Sequence, residues 1–90
     1  MLRLLIEIAH ENKQEACDRA VEIFKSTGSH FLTNADWGCA DGVHKAWITT
    51  DLESKEEALS IVPIWFRPKT KIITLNKFAL KGSKSLKHTA

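Results

Sequence analysis

The chain has 90 residues, of which 43% are hydrophobic and 27% are charged, and its formal net charge is +2 at pH 7. A chain of this length forms one domain that buries about 60–65% of its unfolded surface, and its composition argues against disorder throughout. No apolar run approaches the roughly 18 residues that span a bilayer, and the first residues alternate in polarity as a strand does. We therefore expect a cytoplasmic protein without a signal peptide or membrane contact.

Periodicity predicts two elements before residue 30. Residues 2–9 alternate between apolar and polar side chains in most places, which is typical of a strand. Asn12 and Glu15 have the spacing of a capping box at the start of an amphipathic helix. Gly28 is placed to end that helix in the left-handed conformation.

The remaining residues predict three strands and a short helix. Two extended runs span residues 30–51 and are joined by the turn-rich segment 38–42. Ser54 and Glu57 repeat the capping-box spacing before a helix that Pro63 should end. Residues 70–78 are rich in β-branched side chains and predict a last strand.

The two cysteines are too few and too far apart in the sequence to predict a disulfide framework or a four-ligand zinc site. Cys17 lies on the predicted first helix, where a buried reduced thiol is expected. Cys39 lies in the turn and is expected to be more exposed.

Positive charge is concentrated at the end of the chain. Residues 1–78 carry ten Lys or Arg residues against eleven Asp or Glu residues, whereas three further lysines follow residue 78 without any acid. We interpret residues 1–78 as one α+β domain and residues 79–90 as a basic, flexible tail.

The element order is that of a ferredoxin-like βαββαβ fold, an antiparallel sheet with two helices on one face. Both faces of the predicted sheet are apolar in places, since Leu5 opposes Leu4 and Trp47 opposes Ile48. A sheet buried on both faces needs a second cover, and a second subunit related by a two-fold axis would supply it. In element order and two-sided burial, the chain resembles the dimeric α+β barrel superfamily. That resemblance implies a homodimer joined through its sheets, but the superfamily includes monooxygenases, isomerases and heme- or metal-binding proteins, so it selects no chemistry.

The two strands of residues 30–51 predict a candidate site. If their turn is centred on Ala40, Asp36 faces His44 across the strands, and His30 and Asn34 lie on the same, otherwise apolar face. A mostly hydrophobic surface with a few polar groups is typical of a small-ligand pocket. Asp36 would orient one nitrogen of His44 and leave the other as an acid or base, although a purely structural hydrogen-bonded pair near the hairpin end is the simpler interpretation. A register slip of one residue would place the partners on opposite faces.

Other side chains extend this hypothesis. Cys39 and Trp65 are predicted to contact the ligand, although an inert turn cysteine and a core tryptophan are the simpler interpretations. Trp37 and Trp47 are predicted on the opposite face, at the dimer interface.

A metal site would use His44, His30 and Cys39, with Asp36 or Asp41 as a further ligand. We predict none, because these residues lack paired ligand spacing and His30 would lie roughly 13 Å from His44 along the strands.

The leading functional hypothesis is a small protein that binds a small, partly apolar ligand between sheet and helices and needs no cofactor. As an enzyme it would be isomerase- or monooxygenase-like, with His44 as acid or base and Asp36 as its orienting group. The alternative is a non-catalytic interaction or nucleic-acid-binding module that uses Arg67, Lys69, Lys71 and the tail. Nucleic acid is the less expected partner, because the predicted sheet lacks the stacking aromatics of RNA-binding domains.

Overall fold

The structure, a computed structural model, describes residues 1–78. Its regular elements are four strands and three α-helices: β1 (Leu2–Ala9), α1 (Gln14–Ser26), α2 (His30–Thr33), β2 (Asp36–Trp37), β3 (Lys45–Leu52), α3 (Lys55–Ile61) and β4 (Thr70–Thr74). A first 3₁₀ helix (Cys39–Asp41) joins β2 to β3, and a second (Ile64–Lys69) joins α3 to β4. Within the described residues, no helix is both long and apolar enough to cross a membrane. The predicted basic tail, residues 79–90, lies outside the described residues.

The strands form one antiparallel sheet in the order β2-β3-β1-β4. β1 lies inside the sheet, between β3 and β4, and its alternate residues Leu4, Ile6 and Ile8 are almost fully buried. Ile6 lies opposite Ile48 of β3 and Ile72 of β4, so one apolar row crosses three strands. The predicted α+β class with an antiparallel sheet is confirmed.

The core lies between this row and the helices. Phe24 of α1 and Ala58 of α3 belong to the same buried cluster as the alternate residues of β1 and β3, so both helices cover one face of the sheet. Residues of the opposite parity form the second face, which we call the open face: Arg3, Leu5, Glu7, Trp47, Thr49, Lys71 and Ile73. Ile73 is 44% exposed there. The open face is apolar in part, as the sequence indicated.

The helix ends agree with the sequence except at one place. Gly28 has a φ of +69° just after α1, which is the left-handed end expected of a glycine. Before α3, the Glu57 N–H donates to Ser54 Oγ at 3.1 Å, and the helix ends before Pro63. The capping box predicted from Asn12 is wrong, because α1 begins at Gln14 and its cap residue Lys13 has no acceptor in its side chain.

The strand predicted to start at His30 is largely wrong, since His30–Thr33 is a helical turn and β2 contains two residues. Ser29 caps this turn by accepting a hydrogen bond from Leu32 N–H at 3.3 Å. Asn34 Nδ2 donates to His30 O at 2.7 Å and completes the local network. These short-range bonds compete with strand formation, and Leu32 still reaches the core from the helical turn.

The hairpin register also differs from the predicted one. Asp36 lies opposite Trp47 and Trp37 lies opposite Ala46, so the pairing is displaced by three residues from a turn centred on Ala40. Because side chains alternate along a strand, a shift of the pairing by an odd number of residues moves each side chain of β2 to the other face of the sheet. Trp37 therefore lies on the core side, where its ring packs 4.9 Å from the ring of Phe24, and its predicted place beside Trp47 is wrong.

Candidate functional site

The structure distributes the predicted site residues over three places. His30, Asn34 and Asp36 line a shallow pocket of about 220 Å³ at the edge of the sheet. Cys39 and His44 lie together near the ends of β1 and α1, and Trp65 lines a larger groove between α1 and the second 3₁₀ helix.

The predicted pair of Asp36 and His44 does not form. Asp36 is exposed and lies in register with Trp47, whose side chain belongs to the open face. His44 is half-buried, and its Nδ1 atom has no hydrogen-bond partner among the described residues. The displaced register is the reason, because it moves Asp36 away from the position facing His44.

His44 instead has His10 as its neighbour. His10 follows β1 directly, and its N–H donates to His44 O at 3.1 Å, which extends the pairing of β1 with β3 by one bond. The two imidazole rings lie 5.4 Å apart, nearly perpendicular to one another. His10 Nε2 lies 3.3 Å from Cys39 Sγ, the first residue of the 3₁₀ turn that leads to His44.

These three side chains form a group that we call the His-Cys cluster: His10, Cys39 and His44. Their nitrogen and sulfur atoms lie within 4.8 Å of one another, and all three residues are half-buried. Burial lowers the pKa of His10, and the nearby positive charges of His44 and Lys69 lower it further. Imidazole nitrogen and thiolate sulfur are the ligands that zinc prefers.

Cys39 is also bonded to Cys17 in the structure. The disulfide joins α1 to the turn between β2 and β3, with the two Cα atoms 6.8 Å apart. The prediction of a reduced thiol at Cys17 is therefore wrong for the structure described, whereas the predicted burial of Cys17 is confirmed. A separation of 22 residues in the sequence does not fix the distance in space. α1 begins soon after β1 ends, and the antiparallel pairing of β1 with β3 brings the turn before β3 to the same end of the sheet.

The groove beside the cluster, which we call the α1 groove, has a volume of about 640 Å³. Its apolar lining includes Ala16 and Ala20 of α1, together with Trp65 and Phe66 of the second 3₁₀ helix. Trp65 is 82% exposed, although tryptophan is among the side chains that gain most from burial. His10 contributes to the same lining, so the groove and the His-Cys cluster are adjacent.

The charged lining of the α1 groove is mixed, with a positive excess. Three cationic side chains, Lys13, Arg19 and Lys69, stand against the two carboxylates of Glu11 and Glu15. An anionic group would find cationic partners on both sides of the groove, since Arg19 belongs to α1 and Lys69 ends the second 3₁₀ helix.

The basic residues of the alternative hypothesis do not form one surface in the described part of the chain. Arg67 Nε donates to Val62 O at 2.9 Å and so stabilises the end of α3. Lys69 lines the α1 groove, whereas Lys71 lies opposite Glu7 on the open face.

His10 and Cys17 are the residues that sequence reasoning missed. The strand order supplies the missing information for His10, because a residue after β1 lies beside the residue before β3 when those strands pair antiparallel. Element order alone predicts neither that pairing nor the position of α1 over Cys39. Comparisons with protein-family models, with curated proteins and with solved structures found no match to this chain.

Proposed function

We propose that the protein binds a small, partly apolar ligand in the α1 groove. The observation that carries this proposal is Trp65, which lines the groove while 82% of its surface is exposed. An exposed indole beside a concave, partly apolar surface provides an aromatic face on which a ligand ring can stack.

The charges of the groove favour a ligand with an acidic group. Arg19 and Lys69 are cationic and come from opposite sides, so a carboxylate, sulfonate or phosphate placed between them gains charge-assisted hydrogen bonds. Ala16 and Ala20 have short side chains, which leave room beside α1 for an apolar body. The proposed ligand is therefore an aromatic or aliphatic acid of small size.

The experiment measures binding of 8-anilinonaphthalene-1-sulfonate, which combines aromatic rings with an acidic group, by its fluorescence at fixed salt. Trp65→Ala should weaken binding about tenfold, because the substitution removes one aromatic contact with the ligand and the apolar area that this contact buries. Ile64→Ala is the matched control, because Ile64 is 67% exposed in the same 3₁₀ helix but does not line the groove. Equal affinities for wild type and Trp65→Ala would overturn the proposal.

We further propose that the domain has the ferredoxin-like arrangement and forms a homodimer through its open face. The sheet order β2-β3-β1-β4 and the position of both helices on one face support the arrangement. Leu5 and Trp47 are only half-buried, and Ile73 is 44% exposed, so apolar area on this face would gain from a second subunit. Arg3 and its register partner Asp51, which form an ion pair of 3.6 Å, give the face charges of both signs, which are able to pair across a two-fold axis.

Sedimentation equilibrium tests the dimer. The wild-type protein should have twice the mass of the 10.1 kDa chain at micromolar concentration, and Ile73→Asp should have the mass of one chain. Leu59→Asp is the control, since Leu59 is 37% exposed on α3 and lies outside the open face. A specific dimer should have a dissociation constant below roughly 100 micromolar. A wild-type protein that stays monomeric at that concentration would refute the proposal.

The proposal is limited to binding. The carboxylate predicted to orient His44, that of Asp36, lies on a different surface, so the arrangement predicted for catalysis is not part of the proposal.

A further inference from the structure

We propose that reduction of the Cys17–Cys39 disulfide creates a tetrahedral zinc site with four ligands: Cys17, Cys39, His10 and His44. The protein then has two forms, an oxidised form with the disulfide and a reduced form with one bound zinc ion. This inference is independent of the α1 groove and of its ligand.

The first argument is the distance between ligand atoms. In a tetrahedral site with Zn–N bonds of about 2.0 Å and Zn–S bonds of about 2.3 Å, nitrogen and sulfur ligands lie roughly 3.5 Å apart. His10 Nε2 and Cys39 Sγ are 3.3 Å apart in the structure. The ligand atoms of the whole His-Cys cluster lie within 4.8 Å, so small side-chain rotations complete three corners of the tetrahedron.

The fourth corner comes from Cys17. Its sulfur is bonded to that of Cys39, so it already lies next to the cluster. Two thiolates on one zinc ion lie roughly 3.7 Å apart, and separation of the two sulfurs after reduction provides the space for the ion. α1 and the 3₁₀ turn hold the two Cα atoms 6.8 Å apart, which is compatible with either the disulfide or a shared ion.

A second observation concerns His44. Its Nδ1 atom is buried and has no hydrogen-bond partner within residues 1–78. A buried polar atom without a partner costs free energy, and coordination through this nitrogen would remove that cost.

The charges of the proposed site also balance. Two thiolates neutralise the two positive charges of the zinc ion, so the loaded site adds no net charge beside Lys69.

The chemistry balances with a dithiol as reductant. The disulfide takes two electrons and two protons and becomes two thiols, while the dithiol loses the same electrons and protons and becomes a cyclic disulfide. Zinc then binds both sulfurs and releases their two protons to solvent. A small-molecule disulfide as oxidant reverses the sequence: it takes two electrons from the two thiolates and two protons from solvent and becomes two thiols, while the Cys17–Cys39 bond forms and the ion is released.

The experiment adds Zn²⁺ alone to the full chain and measures binding by isothermal titration calorimetry and native mass spectrometry. One sample is oxidised, and a second is reduced with a phosphine, which takes oxygen from water and becomes a phosphine oxide. The reduced protein should bind one zinc ion at least about 100-fold more tightly than the oxidised protein, since two of four ligands depend on reduction. Equal affinities for the two forms would overturn the proposal.

Variants distinguish this site from other cysteine or histidine binding. His10→Ala and His44→Ala should each weaken zinc binding by the reduced protein by at least about tenfold. His30→Ala is the matched control and should bind as the wild type does, because His30 is an exposed histidine outside the His-Cys cluster. Unchanged binding by both cluster variants would refute the assignment.

A second measurement shows whether each variant is still folded. Co²⁺ in place of zinc gives visible absorption bands characteristic of tetrahedral coordination, and circular dichroism reports the fold of each variant. Tetrahedral bands that are present in reduced wild type and lost in a folded His10→Ala variant support the site, and octahedral bands in the wild type contradict it. Trp65→Ala should keep full zinc binding, so failure of the ligand proposal and failure of this one are separable.

Discussion

Replacement of Phe24 by alanine tests the packing that joins the core to the α1 groove. Phe24 is 1% exposed and is the largest of the fully buried side chains. Its ring lies 4.9 Å from that of Trp37 and 5.5 Å from that of Phe66, the second contact being edge to face. Truncation of a buried phenylalanine to alanine costs about 3–5 kcal/mol of stability. Because Phe24 also makes two ring contacts, we expect a loss of about 4 kcal/mol here.

The assay is urea denaturation of the oxidised protein, followed by circular dichroism. The free energy of unfolding should fall by about 4 kcal/mol with an unchanged dependence on urea. If the alanine variant is unfolded without urea, Phe24→Leu provides the measurable variant, with an expected loss of about 1 kcal/mol. Phe78→Ala is the control, because Phe78 is 67% exposed and its removal should change stability by less than about 0.5 kcal/mol. A loss below about 1.5 kcal/mol for the alanine variant would refute the packing argument.

Two further predictions concern the open face and the turn. Gly38→Ala should destabilise the protein by about 1–3 kcal/mol in the same urea assay, because the added Cβ would lie 2.8 Å from the Trp47 ring. A loss of stability below about 0.5 kcal/mol would contradict that close approach. A hydrogen bond from Trp47 lowers the pKa of Glu7, with the charge of Lys45 acting in the same direction and burial opposing both. Since the folded pKa is below the unfolded one, Glu7 stabilises the fold above its ordinary pKa of about 4.3, and this contribution is lost as the pH falls through the folded value. Glu7→Gln and Trp47→Phe should each lose less stability than wild type between pH 7 and pH 3, and parallel curves would count against the pairing.

The sequence predicts β1 and α1 well, because the burial of one face decides those elements. Leu4, Ile6 and Ile8 alternate along β1 and are almost fully buried, and Ala20 and Phe24 share the buried side of α1. These patterns extend over several residues on one face of each element. The element is therefore predicted correctly even where its first or last residue is not.

The region from His30 to His44 is predicted poorly, because local hydrogen bonds decide it. Ser29 and Asn34 bind backbone atoms within four residues and give a helical turn where apolar alternation favours a strand. Gly38 and Gly42 add a 3₁₀ turn whose length sets the hairpin register, and the length of such a turn is not visible in hydrophobic periodicity.

The candidate site depends on contacts between distant segments. His10 and Cys17 become neighbours of Cys39 only after β1 pairs with β3 and α1 packs over the sheet. His44 and Cys39 are named correctly by sequence reasoning, but their partners are set by the fold rather than by spacing along the chain.

The inner position of β1 has a consequence for synthesis on the ribosome. β1 leaves the ribosome before every other strand of the described region, yet both of its edges pair with strands made later, β3 and β4. At the usual rates of translation, its second edge stays without a partner for on the order of 3–13 s. Such an edge is able to pair with a neighbouring nascent chain, because α1 covers a face of the sheet and leaves the edge of β1 open. A chain stalled before residue 70 would keep that edge open, so release of incomplete chains should lead to aggregation through β1.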